Sequence, residues 1–232
     1  MPDQANTPQH RADSAHEITE ALNQLFATED EVLRQTTQAA REAGLPAIQI
    51  APAQGKLLQV LAAACGARKI LEIGALAGYS AIWMARALPA DGKFITLEID
   101  PKHAEVVRQS LERAQLTDRA EVRVGSAQEL LPQLKTEAPF DLIFIDADKA
   151  GYPGYLDWAL TLSRPGSIIV ADDCIRNGKA LNREQARHDA GVAGIHEYNS
   201  RVAAHPRLVS TILAVELEDF IDGCAVSVVL PE

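Results

Sequence analysis

Cysteine is scarce in this chain of 232 residues: it has three, Cys65, Cys174 and Cys224, far apart. An odd, scattered set supplies neither a disulfide framework nor a zinc pattern. The six histidines include no HxxxH pair. No apolar run reaches the length of a membrane span. The opening stretch "MPDQANTPQHRADSAHE" has no basic start followed by an apolar core, so no secretory leader is expected. Positive charge is also short. The formal net charge is −10, and a non-specific nucleic-acid binder needs a basic surface. These absences favour a soluble, reduced, cytoplasmic protein that acts on a small molecule rather than on membrane or nucleic acid.

The chain does have apolar residues, 47% of the total, enough for a substantial core. Residues 1–15 are polar and expected to be mobile, which leaves 16–232 as a single domain. Residues 16–26 read as a short helix. In "TEDEVLRQTTQAAREAG", Thr28 and Glu31 have the spacing of a capping box and Gly44 can end the helix. "PAIQIAP" reads as an extended connector and "AQGKLLQVLAAACG" as a further helix. From there the period changes. "RKILEIG", "KFITLEID", "AEVRVG", "FDLIFID" and "SIIVADD" read as strands separated by helical stretches. Strand and helix in alternation call for a parallel sheet covered on both faces. The unbroken apolar character of "LIFI" and "IIV" agrees, since strands buried on both sides have no polar alternation. After Asp173 the sequence is polar and loop-like, then helical over "VAGIHEYNSRVAAH". "RLVSTILAV" and "CAVSVVL" can close the sheet as an antiparallel pair.

The chemistry-bearing residues collect at the carboxyl ends of these strands, where open α/β sheets bind ligands. "LEIGALAGYS" is a glycine-rich turn, with Gly74 for a tight bend and Gly78 for close approach of the next helix. Its spacing is not GxGxxG, which weighs against a dinucleotide. Glu98, at the end of the second strand, is placed to accept ribose hydroxyls and is expected to face the cleft with little weight in folding. A plain surface glutamate is the alternative. Glu72, just before the turn, would repel a pyrophosphate but could organise a loop around an ammonium group. That favours S-adenosylmethionine over NAD.

"FIDADK" and "IIVADDC" each end a buried strand in acids. If these strands are neighbours, Asp146, Asp172 and Asp173 converge. Carboxylate oxygens suit Mg²⁺, Mn²⁺ or Ca²⁺, and clustered carboxylates need a cation. The alternative is that each aspartate caps a turn.

Taken together, "LPAIQIAPAQGKLL", "ILEIGALAGYSAIWMARALPADGKFITLEIDPKHAE", "RVGSAQELLPQL", "PFDLIFIDADKAGYPGYLDWAL" and "RPGSIIVADDCIRNG" resemble the cation-dependent class I O-methyltransferases. That group includes the catechol and caffeoyl-CoA enzymes, and the likeness is to its bacterial branch. The resemblance implies an α/β, Rossmann-like, doubly wound sheet of seven strands, mostly parallel with a reversed last strand, and added N-terminal helices. It implies a homodimer and a hydroxylated aromatic substrate. It assigns the cofactor to Ile50, Glu72, Gly74, Ser80, Glu98, Ala127, Gln128 and Asp148. It assigns the metal to Asp146, Asp172 and Asp173, and the substrate to Asp146, Arg176 and Asn177. Lys149 would be the general base, its pKa depressed by nearby positive charge. Two positions depart from the family pattern: Asp173 stands where asparagine is usual, and Arg176 where plant members carry tryptophan. A hydroxylated tRNA base as acceptor, an NAD-dependent oxidoreductase and a non-catalytic binding module are the rival readings.

Overall fold

The computed structural model describes residues 8–217 and 220–231. Its elements, in chain order, are α1 (Pro8–Phe26), α2 (Glu31–Glu42), α3 (Pro52–Ala64), β1 (Lys69–Ile73), α4 (Tyr79–Ala85), β2 (Lys93–Glu98), α5 (Pro101–Arg113), β3 (Ala120–Val124), α6 (Ala127–Leu130), β4 (Phe140–Ile145), α7 (Tyr152–Leu162), β5 (Ser163–Ala171), α8 (Arg183–Ala186), α9 (Ala190–Ala204), β6 (Leu208–Leu217) and β7 (Phe220–Val229). The strands form one seven-stranded sheet in the order β3-β2-β1-β4-β5-β7-β6. β1 to β5 are parallel to one another wherever they pair. β7 runs antiparallel to both β5 and β6. The expected α/β sheet with its reversed last strand is therefore present, and that strand lies between β5 and β6 rather than at the edge.

The pleat explains the apolar runs. Ile70, Leu142, Phe144, Ile168 and Val170 face a cluster built with Leu58, Trp83, Met84 and Val107 from α3, α4 and α5. Their neighbours Leu71, Ile73, Ile143, Ile145 and Ile169 face the opposite side, against Leu156 of α7 and Ile195 and Tyr198 of α9. Successive strand residues point to opposite faces, so a strand with helices on both sides must be apolar at every position.

Local signals decide most helix ends. Asp100 caps α5 by accepting the Lys102 N–H, and Pro101 fills the first helical position, where its missing N–H costs nothing. Gly44 and Gly66 take positive φ beyond the ends of α2 and α3. Three local readings need correction. The cap of α2 is Asp30, whose carboxylate accepts the Leu33 N–H, while Thr28 donates to the Gln24 carbonyl. Asp30 wins because it lies immediately before the first turn, where its oxygen can reach an unpaired N–H. α1 begins at Pro8, earlier than residue 16. Of the segment expected to be mobile, residues 1–7 lie outside the described residues. The loop-like segment after Asp173 holds a 3₁₀ turn, Lys179–Leu181, and the short α8.

Candidate active site

The parallel ladder continues one residue past the strand ends. The Gly74 N–H donates to Leu97 O at 2.9 Å, Asp146 to Ile73 O at 2.9 Å, Asp172 to Ile145 O at 3.0 Å and Gly125 to Glu98 O at 3.0 Å. This register sets Gly74, Asp146 and Asp172 side by side where the strand order reverses between β1 and β4, the place where such sheets bind ligands. Above them opens a cleft of about 1060 Å³.

Most of the residues singled out from sequence line it: Ile50, Gly74, Ser80, Glu98, Ala127, Gln128, Asp146, Asp148, Lys149, Asp172, Asp173 and Arg176. Glu72 and Asn177 are not among its walls. Glu72 is fully buried beneath the floor, where Ser80 Oγ donates to Oε1 at 2.5 Å and Thr96 Oγ1 to Oε2 at 2.6 Å. Burial outweighs these bonds and pushes its pKa up to about 8. Burial thus disfavours its charged form, and the acid supports Ser80 from below. Asn177 ties its loop to β7: its Oδ1 accepts the Ile221 N–H at 2.6 Å and its own N–H donates to Ile221 O at 2.8 Å.

Glu98 lines the cleft but is 6% exposed, which corrects the expectation of an open, structurally idle acid. Its Oε2 accepts the N–H groups of Ala75 (3.2 Å) and Leu76 (2.9 Å), and Oε1 that of Asp100 (2.9 Å). The acid thus pins the glycine turn to the end of β2. Gly74 itself has φ +95, and a Cβ there would collide with the Asp146 carbonyl oxygen. The glycine is required by backbone approach within the protein, whatever the cleft binds.

At the other end of the cleft the acids gather around a lysine. The Lys149 ammonium donates to Asp146 Oδ1 at 2.7 Å and to Tyr152 Oη at 2.8 Å, and lies 2.8 Å from Asp173 Oδ2. Three acceptors satisfy its three protons. Burial pulls its pKa down, but the charges of Asp146 and Asp173 prevail and hold it above the ordinary lysine value. The depressed pKa expected from sequence is that of a lysine beside a bound cation and a sulfonium; the raised one here comes from this chain's own carboxylates. Asp172 receives the Gln54 Nε2–H at 3.1 Å, and burial, then the charges of Asp146 and Asp173, raise its pKa.

Among the described residues no three acids form a ready cradle for a metal. The counter-charge between Asp146 and Asp173 is the Lys149 ammonium. With Arg176 also within 3.6 Å of Asp173, three carboxylates face two cations and keep a surplus of one negative charge. Hard oxygen donors with surplus negative charge fit a divalent cation.

Asp173, Arg176 and Asn177 all have positive φ, at +58, +52 and +53. Aspartate and asparagine tolerate this region; for arginine it is a strained backbone. The two departures noted from the family pattern meet here, with Arg176 Nη1 3.6 Å from Asp173 Oδ2. Asp222 of β7 anchors the loop: its Oδ1 accepts the N–H groups of Ile175 (3.0 Å) and Arg176 (3.2 Å). Sequence reasoning missed Asp222, Gln54, Tyr152 and Tyr155. Tyr152 has a local signal, three residues after Lys149 at the start of α7. Tyr155 donates to Asp148 Oδ1 from the next turn. Gln54 has a local role, accepting the Ala51 N–H at the start of α3, but its partner Asp172 is remote, as are the Ile175 and Arg176 partners of Asp222.

Comparison with known proteins agrees with this geometry. The chain is 48% identical over 210 residues to a catechol O-methyltransferase from Niastella koreensis, covering 90% of this chain and 94% of the relative. An O-methyltransferase from Bacillus cereus, solved in complex with SAH, superposes with a TM-score of 0.88 at 41% identity, over 94% of this chain and 99% of that one. The O-methyltransferase TomG from Streptomyces achromogenes, involved in tomaymycin synthesis and solved with SAM, gives a TM-score of 0.89 at 36% identity, over 95% and 99%. No helix among the described residues is long and apolar enough to cross a membrane. The O-methyltransferase sequence profile matches residues 23–224, nearly the whole of the sheet and the cleft above it, and the chain belongs to the O-methyltransferase family.

Proposed function

We propose that this chain transfers a methyl group from S-adenosylmethionine to one of two vicinal hydroxyls on a small aromatic molecule, with Mg²⁺, Mn²⁺ or Ca²⁺ held by Asp146, Asp172 and Asp173. The observation that carries the proposal is the pairing, in one cleft, of a glycine turn closed by Glu98 with under-neutralised carboxylates around Lys149. The SAH and SAM in the related structures support the donor, and the relative named for catechol supports the acceptor.

In this reading Gly74, Ser80 and Asp148 receive the methionyl part of the donor, and Ile50 covers it. Glu98 keeps lone pairs for the ribose beyond its three backbone bonds, and Ala127 and Gln128 border the adenine. Glu72 supports Ser80 from below. Arg176 and Asp146 meet the acceptor, while Asn177 holds the Arg176 loop to β7. When bound, S-adenosylmethionine supplies an electrophilic methyl group. When bound, the divalent cation supplies Lewis acidity, lowering the pKa of a chelated hydroxyl and neutralising carboxylate charge. Lys149 holds a proton in the state described, because Asp146 and Asp173 keep it charged. It becomes a proton acceptor only when their charge is balanced from elsewhere. The rest of the chain's contribution is to hold two reactants in line and apart from water.

The same proposal includes a homodimer and a cytoplasmic location. Exposed Ile18, Leu22, Leu25 and Phe26 on α1 support the first, and the three free thiols support the second. Light scattering tests the dimer. The function is tested by incubating the protein with S-adenosylmethionine, Mg²⁺ and a panel of catechols, caffeoyl esters and tRNA, with product read by mass spectrometry. A methylated catechol that disappears with EDTA is expected. Product confined to tRNA, or full turnover in metal-free buffer, overturns the acceptor or the metal assignment respectively.

A further inference from the structure

The two ends of the cleft meet through a side chain that no motif marks. Gln54 is the third residue of α3. Its Oε1 accepts the Ala51 N–H at 3.0 Å, and its Nε2 donates to Asp172 Oδ1 at 3.1 Å, across 118 positions of sequence. An amide has an acceptor at one end and donors at the other. With Oε1 committed to a backbone N–H, Nε2 faces the carboxylate. A flip would oppose donor to donor at Ala51 and acceptor to acceptor at Asp172. The orientation is therefore dictated by the network, and the two bonds stand or fall together.

The bridge joins different kinds of structure. Ala51 ends the connector 45–51, which has no helix or strand. Its Pro46, Ile48, Gln49 and Ile50 form one wall of the cleft. Asp172 is the buried acid directly after β5, fixed to the sheet by the bond from its N–H to Ile145 O. One end is irregular backbone and the other is rigid sheet. A single amide transmits the position of the second to the first.

We propose that Gln54 is a positioning residue that couples the two ends of the cleft. While Asp172 presents Oδ1 as an acceptor, the connector wall is held in place; when that acceptor is lost, the wall loosens. What the two ends bind rests on the function proposed above, whereas the bridge can be tested without any ligand.

Amide hydrogen exchange at residues 48–51 is the direct measurement, with β4 amides as the internal reference for global stability. Asp172→Ala should speed exchange at 48–51 by about tenfold, the size of one lost charge-assisted hydrogen bond, while β4 stays protected. Asp172→Asn retains an Oδ1 acceptor and should restore protection. Gln54→Leu should match Asp172→Ala, and the double variant should exchange no faster than either single one. Gln54→Glu keeps an acceptor for Ala51 but loses the donor, so it should behave like Asp172→Ala even if Gln54→Leu folds poorly. In metal-free buffer, calorimetry with SAH should show affinity weakened about threefold to tenfold in Gln54→Glu and Asp172→Ala, without further loss when they are combined. Wild-type exchange at 48–51 in Asp172→Ala, or additive effects in the double variant, overturns the coupling. If SAH does not bind the wild-type protein, the donor assignment fails, and the exchange data still decide the bridge.

Discussion

Lys149 Nζ lies 2.7 Å from Asp146 Oδ1. The strand-end acid is thereby neutralised from within the chain, three residues further on. The same ammonium reaches Asp173 from the other side. One proton-bearing group thus stands where two acids would otherwise repel each other.

Replacing Lys149 with methionine should expose that repulsion. The expected loss is about 2–4 kcal/mol near neutral pH, below the full figure for breaking a buried pair because the lysine keeps some solvent contact. In the wild-type protein the raised lysine pKa gives stability that is present below its ordinary value and is lost as pH rises through the folded one. The variant should instead recover stability as pH falls and the carboxylates protonate. Mg²⁺ should raise the variant's Tm more than the wild type's, since it would supply the missing charge. Equal Tm shifts in calorimetry would remove the case for a cation on these acids. On a catechol, kcat should fall by about 10²–10⁴ in Lys149→Ala, the usual range for loss of a general base.

Gly74→Ala should cost about 2–6 kcal/mol, combining positive-φ strain with overpacking against the Asp146 carbonyl. Urea unfolding measures it. A loss below about 1 kcal/mol would mean that the turn can retreat from β4 without consequence.

Glu98→Gln should lower both stability and SAH affinity. The carboxylate accepts three backbone N–H groups, and an amide cannot present acceptors on both sides. A stability loss of about 1–3 kcal/mol is expected from the donors left unpaired. Unchanged unfolding with weakened SAH binding would assign Glu98 to the ligand alone.

Glu72 predicts a pH dependence. Burial raises its folded pKa to about 8, against about 4.3 for a solvated glutamate. Between those values the native state holds a proton that the unfolded state has released. Stability therefore falls as pH rises across that window, by about 1.4 kcal/mol per unit from this group. Glu72→Gln should remove this contribution and be relatively more stable at pH 8 than at pH 5. Parallel denaturation series at several pH values would show it; identical slopes in the two proteins would mean that Glu72 is ionised in the fold.

Much of the fold is legible in the linear chain, because it follows from period and propensity. The central strands β4 and β5 carry unbroken apolar runs, "LIFI" and "IIVA", since each buries both faces there. The starts and stops at Asp100, Pro101, Gly44 and Gly66 act within one turn of chain. The convergence of Gly74, Asp146 and Asp172 follows from strand ends aligned in a parallel sheet. The alternation of faces even held the clue to Glu72: it shares the face of Ile70, under α4, and so points into the core.

Tertiary structure decided what distance along the chain conceals. Competition between Thr28 and Asp30 for one cap was settled by which oxygen could reach an unpaired N–H. Asn177 turned to β7 because that strand lies beside β5, a placement that no local pattern specifies. Glu98 became a structural acid because the glycine turn folds back over it. Gln54 met Asp172 across 118 positions only after the connector had been laid along the sheet. Periodicity tells which side of an element is buried; which polar atoms then face one another depends on register and loop closure, and these exist only in the folded chain.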